Sequence, residues 1–451
     1  MEIISLAILL IGCSLSMIFF VVVFHYTSKK KVTDKLDKLF TLAVVIFILP
    51  TVILSPFQFQ DLAIGDIPLT KLVVRLAFYS VILIFFRAWF RGFLRNSVEL
   101  FKEPFLALLL VLALLSFGWS DTPGLTFRGS LAALIVAMLA AHIAKRYSWE
   151  ELNYFIRWSL TITAILSLFA VVLLPSIGRL ELSYWRGIFV GSKAMPIEMS
   201  LNILLWYWYI LCHSKHRLIS LGIIFLSVVL LSMGRAISSV FILLALLCLL
   251  TALRSIRLYK HRQAPLIILF FLIVGILGGS IITENAASII VASGRNTNLT
   301  GRAEIWPQVL GYIAQRPWTG YGYAGFWQFW RGSDNPAASI FLPGYVPGHA
   351  HNGFLEILLQ LGIPGLVFYL GAYLRAITSA FTHSMNSKLS EATLPLIVLL
   401  FLALTNNTET ERQGLIGANF YWFYFVLMHI RLNIEARRSF KRNRLIENFS
   451  T

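Results

Sequence analysis

The composition of the chain is that of a membrane protein. Of its 451 residues, 58% are hydrophobic and only 13% are charged, so polar side chains are too few to cover the surface of a soluble globular domain. The net charge of +17 taken alone is also typical of nucleic-acid binding, but the distribution of the basic residues argues against a nucleic-acid partner.

Apolar runs of the length needed to cross a bilayer recur along the whole chain. No repeat, low-complexity tract or soluble domain boundary separates them. We therefore predict an all-α polytopic membrane protein with about 12–13 transmembrane helices, in which residues 1–451 form a single membrane domain. The shortest run, 392–405, must lie in a thinned bilayer or among other helices. The runs lie near residues 3–25, 39–57, 70–86, 104–119, 127–144, 156–176, 195–212, 218–233, 236–253, 264–282, 353–374, 392–405 and 414–430.

Basic residues concentrate in alternate loops. Seven such loops hold 26 of the 38 lysines and arginines, and the positive-inside rule places these loops in the cytoplasm. The N-terminus is then outside and the C-terminus inside, and membrane lipid is the expected partner of this charge. The 26 residues are Lys29, Lys30, Lys31, Lys35, Lys38, Arg87, Arg91, Arg95, Lys102, Lys145, Arg146, Arg157, Lys215, Arg217, Arg254, Arg257, Lys260, Arg262, Arg375, Lys388, Arg431, Arg437, Arg438, Lys441, Arg442 and Arg444.

The outward basic residues differ in kind, because ten are arginine and only Lys71 and Lys193 are lysine. A basic side chain at membrane depth costs about 2.5–3.5 kcal/mol at the helix centre and less near the ends. Guanidinium groups bind phosphate or pyrophosphate through paired, charge-assisted hydrogen bonds, so the retained arginines invite a functional interpretation. They are Arg75, Arg128, Arg179, Arg186, Arg235, Arg295, Arg302, Arg316, Arg331 and Arg412.

Three of these arginines occupy informative positions. Arg186 lies in an outer loop between two spans, Arg235 lies in a tight turn between two apolar helices, and Arg302 opens an amphipathic segment. Each has a simpler interpretation, in which it snorkels or pairs with Glu304, Glu181 or a lipid phosphate.

The only substantial segment outside the membrane is residues 283–351, which we place on the outer side. Apolar residues at helical spacing over 305–313 predict a short amphipathic helix lying on the outer leaflet. The aromatic residues that follow are typical either of an interfacial belt or of sugar stacking. They are Trp318, Tyr321, Tyr323, Phe326, Trp327, Phe329 and Trp330.

Two histidines, His349 and His351, close this loop at the mouth of a hydrophobic helix that Gly362, Pro364 and Gly365 interrupt. Neutral imidazole is available near pH 7, so His351 is a candidate general base, which is typically worth about 10² to 10⁴ in rate. His349 is instead a candidate for a supporting role at the helix entry.

The sequence predicts no cofactor and no metal. Two histidines two residues apart without an acid form a poor metal site, and Asp334 is the only carboxylate between Glu304 and Glu356. Residues 320–325 match G-x-G-x-x-G, but they follow no strand and lie on the outer side, so we reject them as a nucleotide fingerprint. The three cysteines lie in or beside hydrophobic runs and provide no disulfide framework.

Three motifs occur in order along the second half of the chain. They are Thr300-Gly-Arg-Ala-Glu-Ile-Trp306, then Arg316-Pro-Trp-Thr-Gly-Tyr-Gly-Tyr-Ala-Gly-Phe-Trp327, then His351-Asn352 followed after nine residues by Gly362-Ile-Pro-Gly365. Together they resemble the O-antigen ligase and O-antigen polymerase superfamily, and within it the exopolysaccharide-production polymerases. The resemblance covers about residues 180–370.

This resemblance implies a metal-independent, multi-pass glycosyltransferase of the bacterial inner membrane, with its active site on the periplasmic side. The implied donor is an oligosaccharide on undecaprenyl pyrophosphate, the acceptor is a glycan or lipid A-core, and a chain-length regulator protein is a candidate partner. His351 matches the family histidine that deprotonates the acceptor hydroxyl, and Arg186 and Arg235 match the arginines that bind the pyrophosphate. Arg302, His349 and Asn352 are expected to bind substrate.

The leading interpretation is a polymerase that joins lipid-linked oligosaccharide repeats. A ligase that transfers the glycan to lipid A-core would use the same donor chemistry, and the sequence leaves both open. A flippase or transporter is the alternative of another class, but it predicts midplane charges and matching broken helices in both halves. The chain departs from the family pattern at Val190-Gly-Ser-Lys-Ala194, where members often show His-Lys-Asn, and this puts any role of Lys193 in doubt.

Overall fold

The structure is a computed structural model that covers most of the predicted membrane domain. It describes residues 92–181, 184–189, 193–213, 216–234, 236–258, 302–328, 348–387, 390–408 and 419–450, with single positions at 38, 39, 41, 42, 45, 337 and 340. Over these residues the protein is mostly helical, and a short antiparallel hairpin is formed by β1 (Arg179–Glu181) and β2 (Tyr184–Trp185).

Most helices of the described ranges coincide with predicted apolar runs. Two others do not: α1 precedes a predicted run, and α8 lies in the long outer loop. A single helical turn is formed by Pro175–Gly178. The longer α-helices are α1 (Gly92–Phe101), α2 (Pro104–Leu115), α3 (Pro123–Arg146), α4 (Trp149–Leu173), α5 (Ala194–Cys212), α6 (Arg217–Met233), α7 (Ile237–Leu258), α8 (Arg302–Gln315), α9 (Gly353–Asn386), α10 (Leu394–Thr408) and α11 (Phe420–Ser450).

The predicted class, an all-α polytopic membrane protein, is confirmed. Helices α3, α4 and α9 are long and apolar enough to cross a membrane, and α1 with α2 pass the same test together although they bend by 101°. The predicted runs 3–25, 39–57, 70–86 and 264–282 lie outside the described residues apart from isolated positions. The total of 12–13 helices therefore stays a prediction.

Local sequence explains where α3 and α4 begin and end. Helix α3 begins with Pro123 in its first turn, where a missing N–H costs nothing, and ends with basic residues that suit the helix dipole. Helix α4 begins with a capping box, because the Ser148 hydroxyl accepts from the Glu151 N–H and the Glu151 carboxylate accepts from the Ser148 N–H.

Helix α10 lies inside the protein. Leu394, Val398, Leu399 and Phe401 are fully buried, and α10 packs against α7, α9 and α11. This explains how a run too short for an ordinary span is tolerated, since its neighbours are protein rather than lipid.

At one end of the bundle, two buried carboxylates collect basic residues from distant parts of the chain. Glu99 of α1 accepts from Lys102, Lys145 and Arg437 at 2.9, 2.5 and 2.5 Å. A buried carboxylate requires such compensation, because an unpaired buried charge is costly.

Glu103, just before α2, is the second carboxylate of this inner charge cluster. It contacts Arg375 of α9 at 3.3 Å, His429 of α11 at 3.1 Å and Arg437 at 3.7 Å. The sequence assigns all four basic Lys and Arg residues of the cluster to the cytoplasmic side, and the structure brings them together. Arg375 follows Gly353 by 22 positions along α9, which corresponds to roughly 33 Å of helix, so the cluster lies far from His351 along this helix.

These positions predict which side of the membrane each end of the bundle faces. In a variant without the native cysteines, Trp318→Cys should react with a membrane-impermeant maleimide in intact spheroplasts, because Trp318 is 67% exposed on the His351 side. Phe440→Cys, 60% exposed on the side of the inner charge cluster, should react only after permeabilisation. Labelling of both, or of Phe440→Cys alone, in intact spheroplasts contradicts the predicted orientation.

Candidate active site

The two histidines at the mouth of α9 form one unit. The His351 N–H donates to His349 Nδ1 at 3.3 Å, and the two ring centroids are 4.0 Å apart. His349 Nδ1 is the acceptor in this contact. His351 has φ +53°, a left-handed conformation that costs a non-glycine residue about 1–2 kcal/mol. The surrounding contacts must supply the free energy that holds it.

These contacts are hydrogen bonds to the backbone of Ala350, the residue between the two histidines. The Ala350 N–H donates to Glu356 Oε2 at 3.0 Å, and its carbonyl accepts from Trp306 Nε1 at 3.0 Å. Ala350 and Glu356 are both buried. The histidine turn, residues 348–352, is thus fixed from one side by α9 and from the other by α8.

Asn352 begins α9 as its N-cap. Its Oδ1 accepts from the Phe354 N–H at 2.9 Å and from the Leu355 N–H at 3.2 Å, which satisfies two of the donors that every helix start leaves unpaired. The side-chain oxygen is therefore used within the protein. The expectation that Asn352 binds substrate stays a prediction, and it now concerns the amide nitrogen of the side chain.

The predicted interruption of α9 is present at Gly362, which has φ +66° and ψ −167°. In a regular helix the Ile363 N–H would donate to the Leu359 carbonyl. Here the Ile363 N–H donates to the Pro317 carbonyl at 2.8 Å, and the Leu359 carbonyl accepts from the Tyr321 N–H at 2.9 Å. The outer loop satisfies both groups that the break releases.

Glycine is required on both sides of this junction. A Cβ on Gly362 would lie 2.6 Å from the Trp318 carbonyl, and a Cβ on Gly320 would lie 2.5 Å from the Gln360 carbonyl carbon. Both glycines have positive φ. Gly320, which belongs to the rejected nucleotide motif, therefore allows the loop backbone to pack closely against α9.

The outer loop has its own hydrophobic core, which corrects two predictions. Tyr321, Phe326 and Trp327 are buried in this loop core, and Tyr323 is buried in the core of the membrane helices. These four aromatic residues therefore form neither an interfacial belt nor a sugar-stacking surface. Burial raises the pKa of the Tyr321 and Tyr323 hydroxyls. Trp318 remains exposed.

Helix α8 is amphipathic as predicted, but its apolar face packs inward. Ile305 and Val309 are buried in the loop core, and Leu310 is exposed. The same core contains Ala350 of the histidine turn and Leu359 of α9. An apolar helix face packs against protein rather than lipid here because the loop aromatics offer it a partner.

The loop also rests on the turn that joins α2 and α3. Trp119 Nε1 donates to the Thr319 carbonyl at 3.0 Å, and the Tyr323 N–H donates to Ser116 Oγ at 2.9 Å. Arg316 lies 3.7 Å from Asp121 and over the Tyr321 ring. These contacts anchor the loop to the membrane helices at two places.

The segment that carries Arg186 packs against α4 and α5. The Arg186 N–H donates to the Gly178 carbonyl at 2.9 Å. Gly187 has φ +60° and packs closely, since a Cβ there would lie 2.6 Å from Ser167 and 3.1 Å from Met195 Sδ. Arg186 itself is half-buried. The guanidinium is thus carried by a turn that is anchored on both sides.

Arg235 lies outside the described residues, and so does the side chain of Arg302, although Arg302 is the first residue of α8. The neighbour Gly234 packs directly on Pro196, where a Cβ would lie 2.2 Å from Pro196 Cγ. The Arg186 segment contacts Met195 of the same helix turn. The first turn of α5 therefore lies against the Arg186 segment and against Gly234.

No sequence pattern predicted that the histidine turn is held by Glu356, Trp306, Trp327 and Gln360. Glu356 accepts from Trp327 Nε1 at 2.7 Å and from Gln360 Nε2 at 2.8 Å, as well as from Ala350. One feature of the sequence could have indicated Glu356, because it is the only acidic residue of the hydrophobic helix α9. Within the described ranges, no three His, Cys, Asp or Glu side chains are grouped so as to hold a metal ion.

Comparison with known proteins gives a family match for one segment of the chain. Residues 203–370 match the family model for O-antigen ligase. The predicted resemblance is confirmed over this region. The match contains Arg235, Arg302, His349, His351 and Asn352, whereas Arg186 precedes it.

Two curated relatives match part of the chain. Exopolysaccharide production protein ExoQ of Rhizobium meliloti (strain 1021) is 24% identical over 174 residues, which is 37% of this chain and 38% of that protein. O-antigen ligase of Pseudomonas aeruginosa (strain PAO1) is 27% identical over 180 residues, which is 39% of this chain and 38% of that protein. In each case the chain spans less than two thirds of the length of the relative.

The junction between the outer loop and α9 can be tested through Gly362. Gly362→Ala should lower the free energy of unfolding by about 1–3 kcal/mol, because a Cβ is strained at this φ and would meet the Trp318 carbonyl. The melting temperature of the purified protein in detergent measures this. Gly311→Ala, which places a Cβ in open space on α8, is the matched control and should not lower it. Equal melting temperatures for wild type and Gly362→Ala contradict the assigned junction.

Proposed function

We propose that this protein is a glycosyltransferase of the bacterial inner membrane that joins undecaprenyl-pyrophosphate-linked oligosaccharide repeats at the periplasmic face. The observation that carries the proposal is the histidine turn, in which His351 is held in a left-handed conformation at the outer mouth of a broken membrane helix. The match of residues 203–370 to the O-antigen ligase family supports the same chemistry.

In the proposed reaction, the acceptor hydroxyl oxygen attacks the anomeric carbon of the donor sugar. His351 takes the hydroxyl proton on a ring nitrogen as the new glycosidic bond forms. The bond between the anomeric carbon and the pyrophosphate breaks, and its electron pair leaves with the pyrophosphate. A single displacement of this kind inverts the anomeric carbon.

The proposed role of the arginines is to bind the pyrophosphate, which is the leaving group. Arg186 and Arg235 bind the pyrophosphate and stabilise the charge that develops on it, and Arg302 assists in substrate binding. Their guanidinium groups do what a metal ion does in other transferases, so the proposed reaction needs none. His349 supports His351 through its Nδ1, and the acceptor is a glycan whose length a chain-length regulator protein would control.

A ligase that transfers the glycan to lipid A-core is the second candidate. One observation favours it, because the family description and one relative carry the name O-antigen ligase. The donor half of the reaction is the same in both proposals, and only the acceptor differs.

Reconstitution in liposomes with a lipid-pyrophosphate-linked oligosaccharide separates the candidates. In the presence of EDTA, we expect a ladder of longer lipid-linked chains. Product that forms only when lipid A-core is added identifies a ligase instead. Movement of the donor across the bilayer without a new glycosidic bond overturns the transferase proposal in favour of a flippase.

Variants test the assigned roles in the same assay. His351→Asn, which tolerates a positive φ, should lower the rate about 10² to 10⁴-fold without weakening donor binding. Arg186→Ala should weaken donor binding as well. His216→Asn is the matched control for the first, because His216 also has positive φ but lies outside the site. Arg217→Ala is the control for the second, because Arg217 is exposed and belongs to a predicted cytoplasmic loop, and both controls should retain activity. Normal turnover in His351→Asn removes the proposed base.

A further inference from the structure

Glu356 is the most heavily bonded side chain near the histidine turn. It lies in the first turn of α9 and is 1% exposed. Its Oε1 accepts from Trp327 Nε1 and Gln360 Nε2, and its Oε2 accepts from the Ala350 N–H. Three donors converge on one carboxylate, which an ionised carboxylate can satisfy with its two acceptor oxygens.

The three donors come from the three parts of the protein that meet at the site. Trp327 belongs to the outer loop, Gln360 belongs to α9 two residues before the break at Gly362, and Ala350 belongs to the histidine turn. Gln360 extends the connection further, because its Oε1 accepts from the Ala324 N–H at 3.1 Å. Glu356 therefore ties the outer loop and the broken helix to the backbone between His349 and His351.

We propose that Glu356 is a positioning residue for the transfer reaction, which holds the His349–His351 turn so that the His351 ring meets the acceptor hydroxyl. The inference rests on the proposed function, since it presumes that His351 is the base. Glu356 acts through the backbone of Ala350 and does not itself touch the substrate. Displacing a reacting group by about 1 Å costs on the order of 10²-fold in rate, so a loosened turn is expected to be slow.

Glutamine cannot replace glutamate in this arrangement. The amide has one acceptor oxygen and one NH₂ donor group, so in Glu356→Gln one of the three donors must face another donor. If that donor is Ala350, the turn loses its attachment to α9 while the side chain keeps its volume. Trp327→Phe is a milder variant, because it removes one hydrogen bond to Glu356 and keeps a buried aromatic ring.

The experiment is steady-state kinetics of Glu356→Gln in the reconstituted polymerisation assay, with kcat and the KM for the lipid-linked donor measured separately. We expect kcat to fall about 10- to 100-fold while KM changes little. Trp327→Phe should lower kcat in the same direction by about 2- to 10-fold, the range of one net hydrogen bond. Glu103→Gln is the matched control, because Glu103 is equally buried but lies in the inner charge cluster. It should keep kcat below its melting temperature.

Each outcome decides the inference. Wild-type kcat in Glu356→Gln overturns it, and so does a rise in KM at unchanged kcat, which would mean that the carboxylate serves donor binding. If Glu356→Gln does not fold, wild-type kcat in Trp327→Phe overturns it instead. His351→Asn is measured alongside. Full activity there removes the proposed base itself, whereas an inactive His351→Asn beside an active Glu356→Gln removes only the positioning role.

Discussion

The break in α9 imposes a constraint on everything around it. Backbone N–H and C=O groups at membrane depth must be satisfied inside the protein, because lipid offers no partner. The Ile363 N–H and the Leu359 carbonyl find theirs in the outer loop, at Pro317 and Tyr321. The loop is therefore a necessary part of the membrane helix. The same loop supplies Trp327, which bonds Glu356, and contains α8, whose Trp306 bonds Ala350. The break, the loop and the histidine turn are therefore stabilised together.

The inner charge cluster plays the corresponding part farther along α9, at Arg375. Glu99 and Glu103 are buried and contact basic side chains from the α1–α2 turn, α3, α9 and α11. Removing one partner from such a cluster leaves an uncompensated charge, which is strongly destabilising. Helix α9 is thus held by polar contacts at its mouth and at Arg375, with apolar packing between them.

Periodicity and charge in the sequence were sufficient to predict much of this. The apolar runs of α3, α4 and α9 and the break at Gly362 follow from local patterns, and the structure agrees with each. The cytoplasmic assignment of Lys145, Arg375 and Arg437 also follows from a local pattern and stays a prediction. The loop core did not follow from them. Aromatic residues such as Phe326 and Trp327 are apolar whether they face lipid, sugar or protein, so only the fold decides which surface they meet. The hairpin of β1 and β2 is too short to leave a periodic signal.

The site itself was predictable in part. His351 stood out because a histidine at the mouth of a hydrophobic helix is unusual and because the motif around it resembles a family. Glu356 did not stand out, since its partners Ala350 and Trp327 become neighbours only after the loop has folded onto α9. Its role depends on a backbone N–H, and no side-chain pattern reports that. Long-range contacts of this kind are the part of a site that a single sequence leaves unspecified.

The most direct test of the account is an experimental structure of the protein with a lipid-pyrophosphate-linked oligosaccharide bound in a lipid nanodisc. The account predicts that the anomeric carbon lies beside the histidine turn, with the His351 ring within reach of the acceptor hydroxyl and the pyrophosphate against Arg186. It also predicts that the Ala350 N–H still donates to Glu356. A donor bound with its pyrophosphate at the inner charge cluster, or with its anomeric carbon remote from His351, would contradict it.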